Sequence, residues 1–103
     1  MAKEAEAMLL ENQHWQEINP VQCGWQKCRP GHAFGPYTRM HYLLHYVISG
    51  EGTFVIQDRQ YALRAGNIFV IRPFEITYYE ADHTEPWRYI WVGFESRMAL
   101  PAA

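Results

Sequence analysis

HYLLHYVISGEG, from His41 to Gly52, is the stretch on which the reading of this chain turns. An apolar and aromatic run carrying two histidines stops at Gly50-Glu51-Gly52, the pattern of a buried strand ended by a turn. Side chains of a strand alternate with a period of two, so His41 and His45 share one face with Arg39, Leu43 and Val47. Tyr42, Leu44, Tyr46 and Ile48 occupy the other, which has the composition of an ordinary core face. The Arg- and His-bearing face is the candidate functional one, although packing alone can also place a histidine inside a barrel.

Working outward, short strands are predicted downstream at Thr53–Ile56, Gln60–Leu63, Asn67–Ile71, Ile76–Glu80 and Trp87–Phe94, separated by turns and by a polar loop from Ala81 to Pro86. Upstream, Val21–Cys28 reads as a strand around Trp25, and His32–Tyr37, with Gly35 and Pro36, reads as a loop. Ala2–Glu11, rich in Ala, Glu, Met and Leu, is a candidate short helix or arm. Short strands at a spacing of roughly 8–12 residues imply antiparallel hairpins and an all-β sandwich, jelly roll or small barrel. The expected division is an arm over residues 1–20, a barrel over 21–95 and a tail over 96–103.

A chain of 103 residues holds one domain with one core. Hydrophobic residues make up 49% and aromatics 16%, with four Trp and seven Tyr, which excludes a disordered chain and suits a ring-lined pocket. The formal charge of −2 and the lack of any Lys or Arg run leave nothing to grip a phosphate backbone, so this chain is not expected to bind DNA by itself. No stretch approaches the roughly 20 apolar residues of a membrane span, and MAKEAEAMLL lacks the flank and core of a signal peptide. A cytoplasmic location is expected, with Cys23 and Cys28 as reduced thiols.

The last predicted strand repeats the theme of the first. Trp87, Tyr89, Trp91 and Gly93 share one face, while Arg88, Ile90, Val92 and Phe94 form what reads as the core face. Two Trp and a Tyr in line suit the flat apolar face of a sugar or an aromatic ligand, although packing can also produce such a row. Of Tyr78 and Tyr79, only one can point inward. His41 and His45 without a carboxylate on their face make a poor metal set. Ser49 and Ser96 lack a nucleophile context, and Asp82, His83 and Glu85 read as a solvated loop tip.

The segments GHAFGPYTRMHYLLHYVISGEGTF and YALRAGNIFVIRPFEITYYEADHTEPWRYIWVGF together resemble the N-terminal effector-binding domain of AraC-family transcription regulators, from about Trp25 to Phe94. The resemblance implies a cupin-type double-stranded β-barrel, or jelly roll. Positions where metal-binding cupins carry their first ligands fall near Tyr37, Arg39 and Leu43, and the second motif reads Pro73-Phe74-Glu75-Ile76-Thr77-Tyr78, so no metal and no cofactor is expected. What the resemblance implies instead is an organic effector, with a carbohydrate as the leading class, stacked on Trp91 and adjoined by Tyr89 and Tyr79. Strand parity adds Arg39, His41 and His45, on a facing strand, as hydrogen-bonding partners.

Regulators of this kind reach DNA through a helix-turn-helix region beyond the barrel, which this stretch does not contain. The expectation is a truncated regulator or a stand-alone barrel, with a homodimer as a candidate assembly. The alternative expectation is a metal-dependent cupin isomerase or dioxygenase using His41 and His45, with His32 or His83.

Overall fold

The computed structural model of the protein describes residues 4–14 and 18–96. Among the described residues the chain forms strands only: β1 (Ala5–Leu9), β2 (Asn19–Lys27), β3 (Ala33–Tyr37), β4 (Tyr42–Ser49), β5 (Glu51–Ile56), β6 (Arg59–Arg64), β7 (Ile68–Ile71), β8 (Thr77–Ala81) and β9 (Arg88–Glu95). They build a five-stranded sheet in the order β1-β2-β9-β4-β7 and a four-stranded sheet in the order β3-β8-β5-β6. Every pairing between these strands is antiparallel, and the sheets face each other as a jelly-roll barrel. No helix among the described residues is long and apolar enough to cross a membrane.

Three expectations about local structure change. The N-terminal segment, expected as a short helix or an arm, instead contains β1, which lies along β2 from Ala5 opposite Gln26 to Leu9 opposite Gln22. A short segment makes a marginal helix, whereas the free edge of β2 offers a full ladder of partners. The parts of the expected arm and tail at 1–3, 15–17 and 97–103 lie outside the described residues. His32–Tyr37, read as a loop, contains β3, whose Phe34 pairs with Tyr79 of β8.

Antiparallel hairpins were the third expectation, and only β1–β2 and β5–β6 are hairpins between consecutive strands. At the turn after β4 the chain passes from one sheet to the other. Gly50 makes this crossing with φ of 74°, and a Cβ there would strike the Pro86 carbonyl. Two residues on, a Cβ at Gly52 would enter the Trp87 indole. The glycines read as a simple turn are the places where β5 passes under the start of β9.

Parity is correct for both diagnostic strands, but the faces are reversed. Leu43, His45 and Val47 point into the barrel and are buried, while Tyr46 and Ile48, assigned to the core, are exposed on the outside. Trp87, just before β9, and Tyr89 within it are buried in the core and Ile90 faces out, while Phe94 of the same set as Ile90 is buried as expected. A face containing His and Tyr becomes the interior because its rings pack on the aromatic side chains that line the barrel.

Those partners form a continuous ring cluster. His45 stacks on Phe69 at 4.4 Å between centroids and 4° between planes, and lies edge-on to Tyr89 at 4.9 Å. Phe69 reaches Phe54 at 4.8 Å and Trp87 at 5.5 Å. His45 is 2% exposed, and burial, assisted by the Arg39 charge, pushes its pKa from 6.5 to about 3. Cys28 lies buried in the same core, where burial lifts its thiol to about 11 and keeps it protonated at neutral pH; both cysteines are free.

Two predictions follow from this packing. Gly52→Ala should cost about 1–3 kcal/mol in urea unfolding, since neither the indole nor the Glu80 carbonyl beside it has room to move. An unfolded His45 takes up a proton near its ordinary pKa of 6.5 while the folded one stays neutral to about 3. The stability held above pH 6.5 should therefore fall on acidification, by up to about 1.4 kcal/mol per pH unit. His45→Phe, filling the same slot, should flatten that slope between pH 6.5 and about 5.5, above the range in which Glu75, whose pKa Arg72 lowers in the folded protein, begins to protonate in the unfolded chain.

Candidate ligand-binding site

On the side of the barrel where β2 and β9 stand over β3 and β8, the inner wall changes from apolar to polar. Gln22, Gly24 and Gln26 of β2 pair with Gly93, Trp91 and Tyr89 of β9, so all six share the inner face. Trp91 leans over Gly24, where an added Cβ would come within 2.8 Å of the indole Cε2 and Cζ2. Gln22 folds over Gly93, its Cγ standing 2.8 Å from the place of a Cβ there. Each glycine thus makes room for a large side chain on the opposite strand.

The Tyr89 hydroxyl donates to Gln26 Oε1 at 3.2 Å. Burial raises the Tyr89 pKa, and neighbouring Tyr79 and Cys28 push it the same way. Across the barrel Tyr79 is buried and stacks on Phe34 at 5.2 Å, while its alternating neighbour Tyr78 is only partly covered. Burial raises the Tyr79 phenol as well, with Arg39 beside it pulling the other way.

Arg39 enters from the connection between β3 and β4, its guanidinium 5.3 Å from the Tyr37 ring. Its Nε and the Nδ1 of His45 are buried without a hydrogen-bond partner. Buried polar atoms are rarely left so, because an unmet donor or acceptor costs about 1–3 kcal/mol. Arg39 and His45 belong to one cluster with Tyr79 and Tyr89.

Of the six residues singled out from sequence, Arg39, His45, Tyr79 and Tyr89 come together, and Trp91 adjoins them on the same inner face. His41 is set apart at the rim, its Nδ1 3.8 Å from Glu95 Oε1. The expected facing arrangement is corrected: β4 and β9 are adjacent in one sheet, with His45 opposite Trp91 in the ladder, and the wall across from them is Phe34 and Tyr79. Sequence reading missed Gln22 and Gln26. Their signal was the alternation of amides around Gly24 in a strand that otherwise drew attention for Trp25.

These residues do not fit a metal. His45 is ringed by Phe69, Tyr79 and Tyr89, His83 sits 3.4 Å from Glu80 in its loop, and His32 packs on Phe34 at 4.7 Å. Among the described residues no three His, Cys, Asp or Glu side chains converge as a donor set.

Comparison with known proteins gives the same picture of the fold. A crystal structure of a cupin-like protein from Thermotoga maritima superimposes with a TM-score of 0.67 at 13% identity, covering 86% of this chain and 65% of that one. The barrel is thus of the cupin type. In sequence, the Msm operon regulatory protein of Streptococcus mutans is 40% identical over 76 residues, covering 74% of this chain and 27% of the relative. The raffinose operon transcriptional regulatory protein RafR of Pediococcus pentosaceus is 33% identical over 88 residues, covering 84% of this chain and 32% of the relative. This chain therefore spans about a third or less of the regulators it matches. The sequence model of the AraC-like ligand binding domain matches residues 19–103, nearly the whole barrel with its polar inner wall, and the chain belongs to that family.

Proposed function

We propose that this barrel is the effector-sensing part of a transcription regulator and that it binds a small carbohydrate at the mouth framed by Trp91, Tyr89, Tyr79 and Arg39. The observation that carries this reading is the pair of buried, unpartnered atoms, Arg39 Nε and His45 Nδ1, at the inner end of that mouth. A saccharide has the matching chemistry. Its C–H face packs on an indole, and its hydroxyls serve as donors and acceptors together, suiting a neutral imidazole, an arginine and two glutamines. A relative that regulates a raffinose operon supports the same ligand class.

In this reading Trp91 is the stacking platform, Gln22 and Gln26 bond the outer hydroxyls, and Arg39, His45, Tyr79 and Tyr89 the inner ones. His41, paired with Glu95, shapes the rim. Ala5, Ala7 and Leu9 of β1 continue the wall beyond Gln26, Gly24 and Gln22, and all three are exposed. A saccharide filling the mouth covers this row, so binding favours the docked arrangement of the N-terminal strand. That population shift is the signal passed to the DNA-binding part of the regulator and to a second copy in a homodimer.

Thermal unfolding with a saccharide panel that includes raffinose should reveal at least one stabilising sugar, worth about 2.7 kcal/mol at 100 times its dissociation constant. Absence of any shift across the panel would refute the ligand class. Trp91→Ala should abolish that shift with the strand content intact in circular dichroism. By calorimetry, Arg39→Ala should weaken the sugar by about 10- to 100-fold. Limited proteolysis should find residues 4–14 protected by the stabilising sugar, and unchanged cleavage would remove β1 from the mechanism.

A further inference from the structure

A concavity lies between β6 and β7, and neither Trp91 nor Arg39 lines it. β6 and β7 are the outer strands of their respective sheets and do not pair, so the barrel stays open between them. The opening is a cleft of about 330 Å³ floored by Phe54, Phe69, Ile56 and Leu63, within the size range of small-molecule sites. Register places Arg59, Tyr61 and Leu63 opposite Ile56, Phe54 and Gly52, hence on the inward face of β6. Tyr61 nevertheless remains 37% exposed, because no strand covers it.

The charges around the cleft are unbalanced. Arg72 and Glu75 satisfy each other through two bonds, Nε to Oε1 at 2.9 Å and the second guanidinium nitrogen to Oε2 at 2.8 Å. Glu75 is thereby held below its ordinary pKa, and the pair carries no net charge. Arg59 has no ion pair among the described residues, which leaves one free cation at the edge of an apolar floor. The backbone is also unusual here. Of the three non-glycine residues with positive φ among the described residues, two lie at the cleft: Gln57, at 54°, lines it, and Phe74, at 66°, forms the tip of the loop that holds the Arg72–Glu75 pair. Left-handed non-glycine residues concentrate at binding sites, where the surrounding fold holds them in place.

We propose that this cleft is a second small-molecule site, for a ligand with an aryl or short alkyl body and one anionic group. The body packs on Phe54 and Phe69, and the anion meets Arg59. Such a ligand differs from a saccharide in both respects, so the two ends of the barrel read different chemistries. The cleft stands independently of the proposed sugar site, because none of Arg39, Tyr79, Tyr89 and Trp91 lines it.

The test is an amide-resonance titration of the full chain with 3-phenylpropionate and with its neutral analogue 3-phenylpropionamide. The acid should shift resonances from Phe54 to Glu75 at millimolar concentration and bind about fivefold tighter than the amide. Arg59→Ala, an exposed position, should reduce the acid to the affinity of the amide. Leu63→Trp, filling the floor, should abolish binding of both, with unshifted resonances elsewhere reporting an intact fold. The proposal is overturned if neither probe shifts the cleft, if the acid preference survives Arg59→Ala, or if the shifts centre on Gln26 and Trp91. Cleft resonances that move when the protein alone is diluted would place a second copy of the chain there and overturn it equally.

Discussion

The Phe69 ring is the contact on which the two sheets depend. It lies flat against His45 of its own sheet and touches Phe54 and Tyr79 of the other, while Trp87 stacks on it at 5.5 Å. Because β6 and β7 do not pair, backbone hydrogen bonds cannot close this side of the barrel, and side-chain packing holds it instead. The cluster acts as a septum. On one side of it gather the polar tips of Tyr79, Tyr89, Gln26 and Arg39; on the other the apolar floor of Phe54, Ile56 and Leu63 meets solvent.

Burying polar groups on the septum carries an energetic cost that shapes the chemistry of the mouth. His45 stays neutral because charging it would strand a cation among rings beside Arg39. Tyr89 discharges part of its cost through Gln26, but Arg39 Nε and His45 Nδ1 do not. For a domain whose total stability is on the order of 5–15 kcal/mol, two unmet buried atoms are a substantial fraction. A fold that keeps them is consistent with a site whose bonding is completed by a ligand.

Much of this architecture can be read in the chain. Alternation in HYLLHYVISGEG and in the segment from Trp87 to Phe94 groups Leu43, His45 and Val47 on one face and Trp87, Tyr89 and Trp91 on another, and the strands between them fall close to where turn residues place them. Which set faces inward cannot be read that way. Both faces of β4 are largely apolar, and the inward one carries the histidine, so composition favours the wrong side until neighbouring rings are known. β1 and β3 escape for a related reason: each is the outer strand of its sheet and pairs on one side only, so its extended form depends on a single partner, which for β3 is β8, far along the chain. Gln22 and Gln26 acquire meaning only once Tyr89 and Gly93 lie opposite them.

Local chemistry therefore settled the class of the protein: its β content, the glycines at its crossing point, the pairing of Trp87, Tyr89 and Trp91 on one face, and the family likeness these produce. Those features depend on side-chain period and backbone sterics, which act between neighbours along the chain. Contacts between residues far apart in sequence decided the rest. They placed Trp91 beside His45 instead of across from it, set Tyr79 and Phe34 as the opposite wall, left His41 at the rim, and opened a cleft where two edge strands fail to meet. Burial, orphaned bonds and unbalanced charge are properties of assembled surfaces, and they come into being only when the two sheets close on Phe69.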